Sequence, residues 1–468
     1  MKIYNSLTRT KEEFIPLKPG HIGMYVCGPT VYDEPHIGHA RSAYIFDVIR
    51  RYFEYKKYGV TFVRNVTDVD DKIIDKARKE LVPESPGPRV IEKTKEVSEK
   101  YLRLYHEDMA LLGIRAPDKE PKATEYIPKM IRFIELLIKK SHAYQADGDV
   151  YFDIKTAVEY GKLSNQNPDK MESGARILPG EKKKGPMDFA LWKKAKEGEP
   201  SWDSPWGRGR PGWHIECSAM SSDILGEEFD IHGGGIDLIF PHHENEIAQS
   251  EGAGKKFAKF WMHNGLLTIK GEKMAKSLGN FISIKGFMAG YKDADLLKLL
   301  FLNTHYRHPV DYTEEKIAGM KAEKERITIA LDKMKRAEDQ SAPAGAKGKP
   351  GKSEEFRKKF EEAMDDDFNM PLALAAVFEL VNEANKNIED AEFASAAAKL
   401  ITEIASVFGL KICFQGEISS DVKVSIQMRN DARKSGDYKE ADRIRKELLG
   451  RGVILEDTKD GTIWRKKL

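Results

Sequence analysis

The stretch YVCGPTVYDEPHIGH, residues 25–39, decides the fold of this chain. It opens inside an apolar run, Gly23 to Cys27, that predicts a short buried strand. From about Ile37, apolar side chains recur at helical spacing, and residues 60–66 predict a second strand followed by another helix. Strand, helix, strand, helix is the start of an open parallel α/β sheet, in which ligands bind beyond the carboxyl ends of the strands. Cys27 and Thr67 both follow such ends.

The rest of the chain predicts an interrupted sheet and then a helical second half. Residues 124–209 hold one helix, short β-like pieces and polar loops, which indicates an insertion. The alternation resumes with a strand ending at His232 and a turn at residues 233–235. Helical patterns dominate from about Asp293, and residues 341–353, rich in Ala, Gly, Pro and Lys, predict a flexible loop. The fold class is therefore α/β, a Rossmann-like parallel sheet with an insertion, followed by a mainly α-helical region.

The composition points to a soluble protein of several domains. The chain has 468 residues, of which 40% are hydrophobic and 32% charged, and its formal net charge is only +2. Any nucleic-acid surface must therefore come from a local arrangement of basic residues. Three cysteines, an odd number with no CxxC pair, indicate a reducing compartment. We expect a cytoplasmic protein with no membrane segment, in which Cys413 is a buried structural thiol.

The first motif that carries chemistry is Pro35-His36-Ile37-Gly38-His39, at a strand-to-helix junction. His36 and His39 are three residues apart and lie on one face of the first helical turn. The free N–H groups and the dipole of a helix N-terminus favour anionic phosphates, and Gly38 leaves room for a flat ring. The alternative is a pair of surface or capping histidines.

The second motif is Lys273-Met274-Ala275-Lys276-Ser277. Two lysines three residues apart on a glycine-flanked loop can reach a triphosphate and neutralise the charge that develops as pyrophosphate leaves. On charge alone, a solvated basic loop is the favoured interpretation of the motif.

The third is a set of metal-ligand residue types. His242 and Glu246 are four residues apart, a common metal-ligand spacing, and Cys27 and Cys217 add two thiols. Together the four predict a tetrahedral site with two sulfur ligands, one nitrogen and one oxygen. A buried apolar Cys27 beside a salt-bridged histidine and glutamate cluster is the alternative, and spacing alone leaves both open.

The H-I-G-H and K-M-x-K-S blocks, in this order, resemble the paired motifs of class I aminoacyl-tRNA synthetases. Three longer blocks resemble the cysteinyl-tRNA synthetase family, and they are YVCGPTVYDxPHIGH, GRPGWHIECSAM and DIHGGGxDLxFPHHENE. The resemblance implies that Cys27, Cys217, His242 and Glu246 bind one zinc ion, whose shell the substrate thiolate completes. A metal would improve selectivity here, because a hydrophobic pocket alone discriminates between near-isosteric substrates such as cysteine and serine by only about 10²-fold.

The same resemblance implies roles for further residues. Thr67, Trp213 and Asp237 join Cys27 in the amino-acid pocket, although a tryptophan in an α/β domain is often a core residue. The catalytic residues are His36, His39, Lys273 and Lys276. The residues of the ATP site are His36, Gly38, His39, His232, Gly233, Gly234, Lys273 and Lys276.

The resemblance also implies a division of the chain. We expect a Rossmann-like catalytic domain in two halves (1–123 and 210–268), an insertion (124–209), a stem-contact region with the lysine loop (269–310), a helical bundle (311–414) and a C-terminal anticodon-binding domain (421–468). Residues 423–468 carry 13 Lys and Arg against 8 Asp and Glu, which favours RNA contact over a merely solvated face. The candidate anticodon contacts are Asp457, Trp464, Arg433 and Arg443.

The expected activity is ATP-dependent activation of L-cysteine and its transfer to the 3′ end of the cysteine tRNA. One Zn²⁺ per chain and Mg²⁺ with ATP are the expected cofactors, and a monomer without membrane contact is the expected form. A related ligase that joins cysteine to an amino sugar is the closest rival, but it lacks an anticodon-reading C-terminal part. A non-catalytic tRNA-binding relative would lose a motif lysine or histidine, and a methionine-specific relative would not need the Cys-Cys-His-Glu set.

Overall fold

A computed structural model of the chain describes residues 1–81, 88–166, 182–274, 279–340, 351–412, 419–458 and 461–466. The chain divides into two compact units. Unit 1 comprises Met1–Glu314, Glu361–Leu372 and Val407–Gly409, and unit 2 comprises Glu315–Phe360, Ala373–Ser406 and Leu410–Leu468. Within the described ranges, no helix is both long and apolar enough to cross a membrane. Ala275, Lys276, Cys413 and most of the loop predicted at 341–353 lie outside the described residues.

The centre of unit 1 is the parallel sheet that the sequence predicts. After a hairpin of β1 (Lys2–Asn5) and β2 (Thr10–Glu13), the chain forms β3 (His21–Val26), α1 (Ile37–Tyr55), β4 (Gly59–Arg64), α2 (Asp71–Glu80) and α3 (Pro88–Leu111). Two later strands, β9 (Glu228–Gly235) and β10 (Phe257–Asn264), complete the sheet in the order β10-β9-β3-β4, with all neighbours parallel. The Rossmann-like fold class is therefore confirmed.

The turn after β3 is fixed by a close backbone approach. Gly28 donates its N–H to the Asn65 side-chain oxygen at 2.8 Å. A Cβ atom at Gly28 would lie 1.7 Å from the Asn65 carbonyl oxygen, so only glycine fits between the ends of β3 and β4. This contact sets the position of the neighbouring Cys27 relative to the end of β4.

The predicted insertion is a separate antiparallel sheet with a helix. It contains α4 (Ile127–Lys139), β5 (Ala143–Ala146), β6 (Asp149–Phe152), β7 (Phe189–Lys194) and β8 (Gly209–Pro211). The strand order is β5-β6-β7-β8. Apolar residues of α4 recur at helical spacing and are buried in the same core cluster as β6 and β7. The chain then returns to the parallel sheet through α5 (Trp213–Leu225), and α6 (Glu244–Gly252) connects β9 to β10.

The turn predicted at residues 233–235 is wrong, because β9 continues through Gly235. These glycines pair in register with Met262, His263 and Asn264 of β10. A Cβ atom at Gly233 would lie 2.4 Å from the Phe46 ring, and one at Gly234 would lie 2.9 Å from the His243 ring. The glycines therefore provide close packing of side chains against a strand rather than a reversal of the chain.

Helices dominate the second half of the chain, as predicted. Unit 1 ends with a small sheet, β12-β11-β13, made of β11 (Leu267–Ile269), β12 (Glu272–Lys273) and β13 (Val310–Tyr312), and with α7 (Ile284–Tyr291) and α8 (Ala294–Leu302). The remaining helices are α9 (Glu314–Gln340), α10 (Gly351–Asp365), α11 (Met370–Lys386), α12 (Ala391–Val407), α13 (Ser420–Lys434) and α14 (Tyr438–Gly450). A hairpin of β14 (Val453–Thr458) and β15 (Gly461–Lys466) closes a small core with α13 and α14.

Candidate metal and nucleotide site

A cleft of about 350 Å³ lies at the carboxyl ends of β3, β4 and β9, where the fold predicts a ligand site. Its wall includes Cys27, Gly28 and the start of α1 on one side, and Trp213 and Asp237 on the other. Lys273 and Met274 also line it. Residues from both motifs therefore face the same space as one of the predicted metal ligands.

The four predicted metal ligands come together beside this cleft, and Cys27 is the one of the four that lines it. Cys27 follows β3, and Cys217 lies on α5. His242 lies in the short helical segment Ile239–His243 that leads into α6, and Glu246 lies on α6. One donor atom from each of the four can be chosen so that all lie within 4.8 Å of one another. The two sulfur atoms are 3.6 Å apart, and His242 Nε2 lies 2.9 Å from Glu246 Oε1. Cys217, His242 and Glu246 are buried, whereas Cys27 is partly exposed.

The protonation of this cluster suits a metal. Although burial alone would raise it, His232 and His242 lower the pKa of Glu246 to about 2. Burial also opposes ionisation of Cys217, yet hydrogen bonding from Cys27 and His242 lowers the pKa of its thiol to about 6. Glu246 and Cys217 raise the pKa of His242 to about 10 against the opposing effect of burial. Burial, and then Cys217 and Glu246, raises the pKa of the Cys27 thiol well above its ordinary value. A bound metal would replace the protons of both groups, as ligand sets of this kind require.

A second group of donors overlaps the first. Cys27, His232, His243 and Glu246 also place donor atoms within 4.8 Å of one another. His232 Nε2 lies 2.7 Å from Glu246 Oε2, and His243 Nε2 lies 3.3 Å from Cys27 Sγ. The predicted set contributes two thiols instead of one, which zinc favours. In that arrangement, His232 and His243 would orient the ligands from outside.

Three residues around the metal ligands were not predicted. His214 Nδ1 is 3.0 Å from His242 Nδ1, and His243 Nδ1 is 2.8 Å from His263 Nε2. His263 in turn contacts Ser6 Oγ at 2.8 Å. Burial first, then the neighbouring histidines, lowers the pKa of His243 far below its ordinary value and that of His263 to about 3. Neutral rings of this kind are hydrogen-bonding groups rather than charges.

The two motif histidines form a stacked pair at the N-terminus of α1. Their ring centroids are 3.8 Å apart. Gly38 N–H donates to His36 Nδ1 at 3.1 Å, and His36 N–H donates to His39 Nδ1 at 3.2 Å. Both rings line the cleft, so they cap the helix and face the ligand space at once. Because each Nδ1 accepts a hydrogen bond, a neutral ring carries its proton on Nε2.

The lysine loop is described only in part. Lys273 ends β12, is exposed and lines the cleft. The methyl carbon of Met274 would lie 3.4 Å from a Cβ atom at Gly38, which places the start of the loop beside the first motif. Lys276 lies outside the described residues, so its role stays a prediction.

Some residues of the predicted amino-acid pocket line the cleft, and one is buried behind it. Trp213 and Asp237 line the cleft, and the Trp213 ring stacks on His242 with centroids 4.1 Å apart. Trp213 remains 37% exposed, so it is not the core residue of the alternative interpretation. Thr67 is instead buried behind the cleft, where its hydroxyl donates to Glu216 Oε2 at 2.7 Å.

The predicted ATP contacts of His232, Gly233 and Gly234 differ from their observed surroundings. All three are buried in β9, and His232 has no exposed surface. The His232 ring stacks on Trp261 with centroids 4.5 Å apart and bonds to Glu246. Of the three, His232 contacts the predicted ligand Glu246, whereas the cleft is lined by the nearby Gly235 and Asp237.

In the C-terminal part, three of the candidate RNA-contacting residues form ion pairs within the protein. Both oxygens of Asp457 accept from Arg429, with Nη2 to Oδ2 at 2.6 Å, and Arg433 also pairs with Asp457. Arg443 pairs with Glu440 and Glu447 on its own helix. Asp457 therefore accepts from two guanidinium groups while it stays exposed, and its contact with an anticodon base stays a prediction. Trp464 pairs with Leu455 through the backbone, and its side chain lies outside the described residues.

Comparisons with known proteins agree with the geometry. The family model described as tRNA synthetases class I (C) catalytic domain matches residues 13–322. The chain is 47% identical to a cysteine–tRNA ligase of Geobacter sulfurreducens, an alignment that covers 100% of both chains. It is 46% identical to the cysteine–tRNA ligase of Anoxybacillus flavithermus, over 100% of this chain and 99% of that one. The chain belongs to the cysteine–tRNA ligases. These enzymes are class I aminoacyl-tRNA synthetases, as the two motifs predict.

The remaining comparisons fit the same family. Residues 359–412 match the DALR domain, and residues 416–465 match the cysteinyl-tRNA ligase anticodon binding domain. A solved structure of Mycobacterium tuberculosis methionyl-tRNA synthetase in complex with methionyl-adenylate is similar over 83% of this chain and 90% of that one, with a TM-score of 0.62 and 15% identity. At that identity, the likeness shows the class I fold alone.

Proposed function

We propose that this cysteine–tRNA ligase selects L-cysteine through a zinc ion held by Cys27, Cys217, His242 and Glu246. The observation that carries the proposal is the convergence of these four donors around Cys27, which lines the same cleft as His36 and His39. When bound, zinc would take the substrate sulfur as a thiolate, which a serine hydroxyl cannot match because it stays protonated.

The residues of the cleft would carry the activation of cysteine. A carboxylate oxygen of cysteine attacks the α-phosphorus of ATP, the bond from that phosphorus to the bridging oxygen breaks, and pyrophosphate leaves with the electron pair. His36 and His39 would donate hydrogen bonds from Nε2 to the phosphates, and Lys273 and Lys276 would neutralise the charge on the leaving group. Mg²⁺ would accompany ATP as part of the substrate.

The remaining pocket residues would position the amino acid for this attack. Asp237 faces the cleft and would hold the substrate ammonium group, while Trp213 would cover the bound cysteine beside His242. Thr67 would not contact the substrate; its hydrogen bond to Glu216 would hold in place the residue that precedes Cys217. Orientation and charge stabilisation of this kind can supply most of the rate without covalent protein chemistry.

The second step would be the attack of a terminal ribose hydroxyl of the cysteine tRNA on the acyl carbon of the adenylate, with AMP as the leaving group. We assign the stem-contact role to residues 269–310, the tRNA-side helical bundle to 311–414 and anticodon recognition to 421–468. The match of residues 416–465 to an anticodon binding domain supports this assignment over the amino-sugar ligase. The substrates favour a cytoplasmic enzyme, and we expect it to act as a monomer.

Deleting Lys423 to Leu468 is expected to separate the two steps. The deletion removes most of the small core that α13 and α14 form with the C-terminal hairpin, because that core lies almost wholly within the deleted range. ATP–pyrophosphate exchange with cysteine should stay within about twofold of the full-length chain. Charging of tRNA should fall at least about 100-fold, since each lost phosphate or base contact weakens RNA binding.

The full-length Arg433→Ala variant is the matched control for this deletion. It breaks one ion pair with Asp457 while Arg429 keeps both carboxylate oxygens occupied, so the hairpin should stay folded. Its charging defect should be smaller than that of the deletion and should appear in the KM for tRNA. Normal charging by the truncated chain would refute the anticodon role of this segment.

A further inference from the structure

Arg64 is a buried arginine that lines the cleft and that neither motif includes. It is the last residue of β4 and only 3% exposed. Its guanidinium carbon lies 5.0 Å from the centre of the Phe62 ring, and its Cγ would touch a Cβ atom at Gly28 at 3.1 Å. Gly28 follows Cys27 directly, so the stem of Arg64 packs beside the backbone that presents a predicted metal ligand.

The charge of Arg64 is not balanced by the part of the chain that the structure describes. Nη1 has only a long contact of 3.5 Å to the Tyr105 hydroxyl, and Nη2 has no hydrogen-bond partner there. No ion pair of Arg64 occurs among the same residues, whereas buried Arg210 pairs with Asp71 and Glu199. The third buried arginine described in unit 1, Arg41, donates instead to backbone carbonyls. Burying a guanidinium N–H without an acceptor costs free energy, so a bound ligand that accepts from it is the expected explanation.

The geometry points to an oxyanion as that ligand, and we propose that Arg64 binds the carboxylate of L-cysteine. A planar guanidinium presents two parallel N–H groups that match the two oxygens of a carboxylate. The inference rests on the proposed function in one respect: the thiol is placed at the Cys27 cluster, and the carboxylate is then within reach of the adjacent strand end. Arg64 would act as a substrate-binding residue that orients one oxygen and leaves the other to attack the α-phosphorus.

The phosphates of ATP already have the motif histidines and lysines as proposed partners, so a phosphate of the tRNA 3′ end is the other oxyanion to consider in this cleft. Lys72 is better placed for it, because Lys72 also lines the cleft but is exposed, with its ammonium 5.4 Å from the centre of the Tyr32 ring. The depth of Arg64 favours a ligand small enough to be enclosed. A cysteine carboxylate meets that condition.

Cysteamine is the probe that tests this proposal, since it has the thiol and amine of cysteine but no carboxylate. Both ligands would be titrated into full-length Arg64→Met by calorimetry, a change that keeps the length of the side chain over Phe62. Cysteine affinity should fall roughly 10- to 100-fold, as expected for loss of a charged hydrogen-bonding group, whereas cysteamine affinity should not change. In ATP–pyrophosphate exchange, the KM for cysteine should rise by a similar factor.

Arg50→Met is the matched control. The Arg50 guanidinium carbon lies 5.6 Å from the same Phe62 ring, but Arg50 is paired with Glu54 and Asp118 and does not line the cleft. Its ratio of cysteine to cysteamine affinity should equal that of the wild type. If Arg64→Met does not fold, Arg64→Lys serves instead. Its affinity for cysteine should fall by a smaller factor, with cysteamine affinity unchanged, because the charge remains but the paired N–H donors of the guanidinium are lost.

Two outcomes would overturn the proposal, and a third would leave it standing while contradicting the zinc proposal. Equal weakening of cysteine and cysteamine would make Arg64 a structural residue. Unchanged binding of both, with normal exchange but slow transfer to tRNA, would assign Arg64 to a tRNA phosphate. If a metal-free wild-type chain keeps its full preference for cysteine over cysteamine and loses it only on Arg64→Met, the carboxylate proposal stands and the zinc proposal fails.

Discussion

Replacing Cys217 with serine is expected to remove zinc from the chain and, with it, the preference for cysteine. Cys217 is 1% exposed and supplies one of two sulfur donors, so no nearby thiol can take its place in the described cluster. Metal affinity should fall by more than the roughly 10- to 100-fold typical of losing an outer partner of a ligand. Element analysis of the purified variant and exchange with cysteine and serine measure the two effects.

His243→Asn is the control that separates the two overlapping donor groups. His243 belongs to the group with His232, whereas Cys217 belongs to the group with His242. If the proposed set is correct, His243→Asn keeps its zinc with an affinity reduced by at most about 100-fold, because the lost contact to Cys27 Sγ is an orienting one. One zinc per chain in Cys217→Ser, together with no zinc in His243→Asn, would show that the metal binds to the group with His232 instead.

Replacing His39 with alanine is expected to slow formation of the adenylate by about 10²- to 10³-fold, the usual cost of one transition-state hydrogen-bond donor. His39 faces the cleft, and its Nδ1 is occupied by the His36 N–H, so Nε2 is its donor. His39→Gln can place an amide N–H near the position of Nε2 and should recover part of the rate. His39→Asn, whose shorter amide corresponds to Nδ1, should not.

The pH profile distinguishes a hydrogen-bond donor from a positive charge at His39. The protein that surrounds the ring, and then the adjacent His36, lowers the pKa of His39 to about 3, although His39 keeps solvent-exposed surface. A group with a lowered pKa is neutral above that value, so His39 should produce no inflection in the exchange rate between about pH 5 and 8. A rate that falls as pH rises through about 6.5, and that no longer does so in His39→Gln, would show that the imidazolium is the active form.

Local sequence patterns were enough to predict the framework of the site. A buried apolar run followed by helical spacing predicts β3 and α1, and the carboxyl-end rule then places Cys27, His36 and His39 together. The same rule explains why Asp237, which follows β9, meets them, whereas Trp213 reaches the cleft from the first residue of α5. Each of these inferences needs only the local period and the general geometry of parallel sheets.

Contacts between distant positions could not be predicted in this way. Ser6 meets His263 across 257 residues, and Asp457 meets Arg429 across 28, with no local pattern to connect either pair. Gly233 and Gly234 suggested a turn because glycine favours turns, yet here they give room to Phe46 and His243. Arg64 was missed because a single arginine at a strand end looks ordinary until its burial and missing partner are known.

Selection of cysteine by a metal is tested most directly by ATP–pyrophosphate exchange across the amino acids, with and without a zinc chelator. We expect exchange with cysteine alone, its loss when the metal is removed, and its return when zinc is added back. Serine should support no exchange in either state. A metal-free chain that still exchanges with cysteine, at an unchanged preference over serine, would contradict the assignment of Cys27, Cys217, His242 and Glu246.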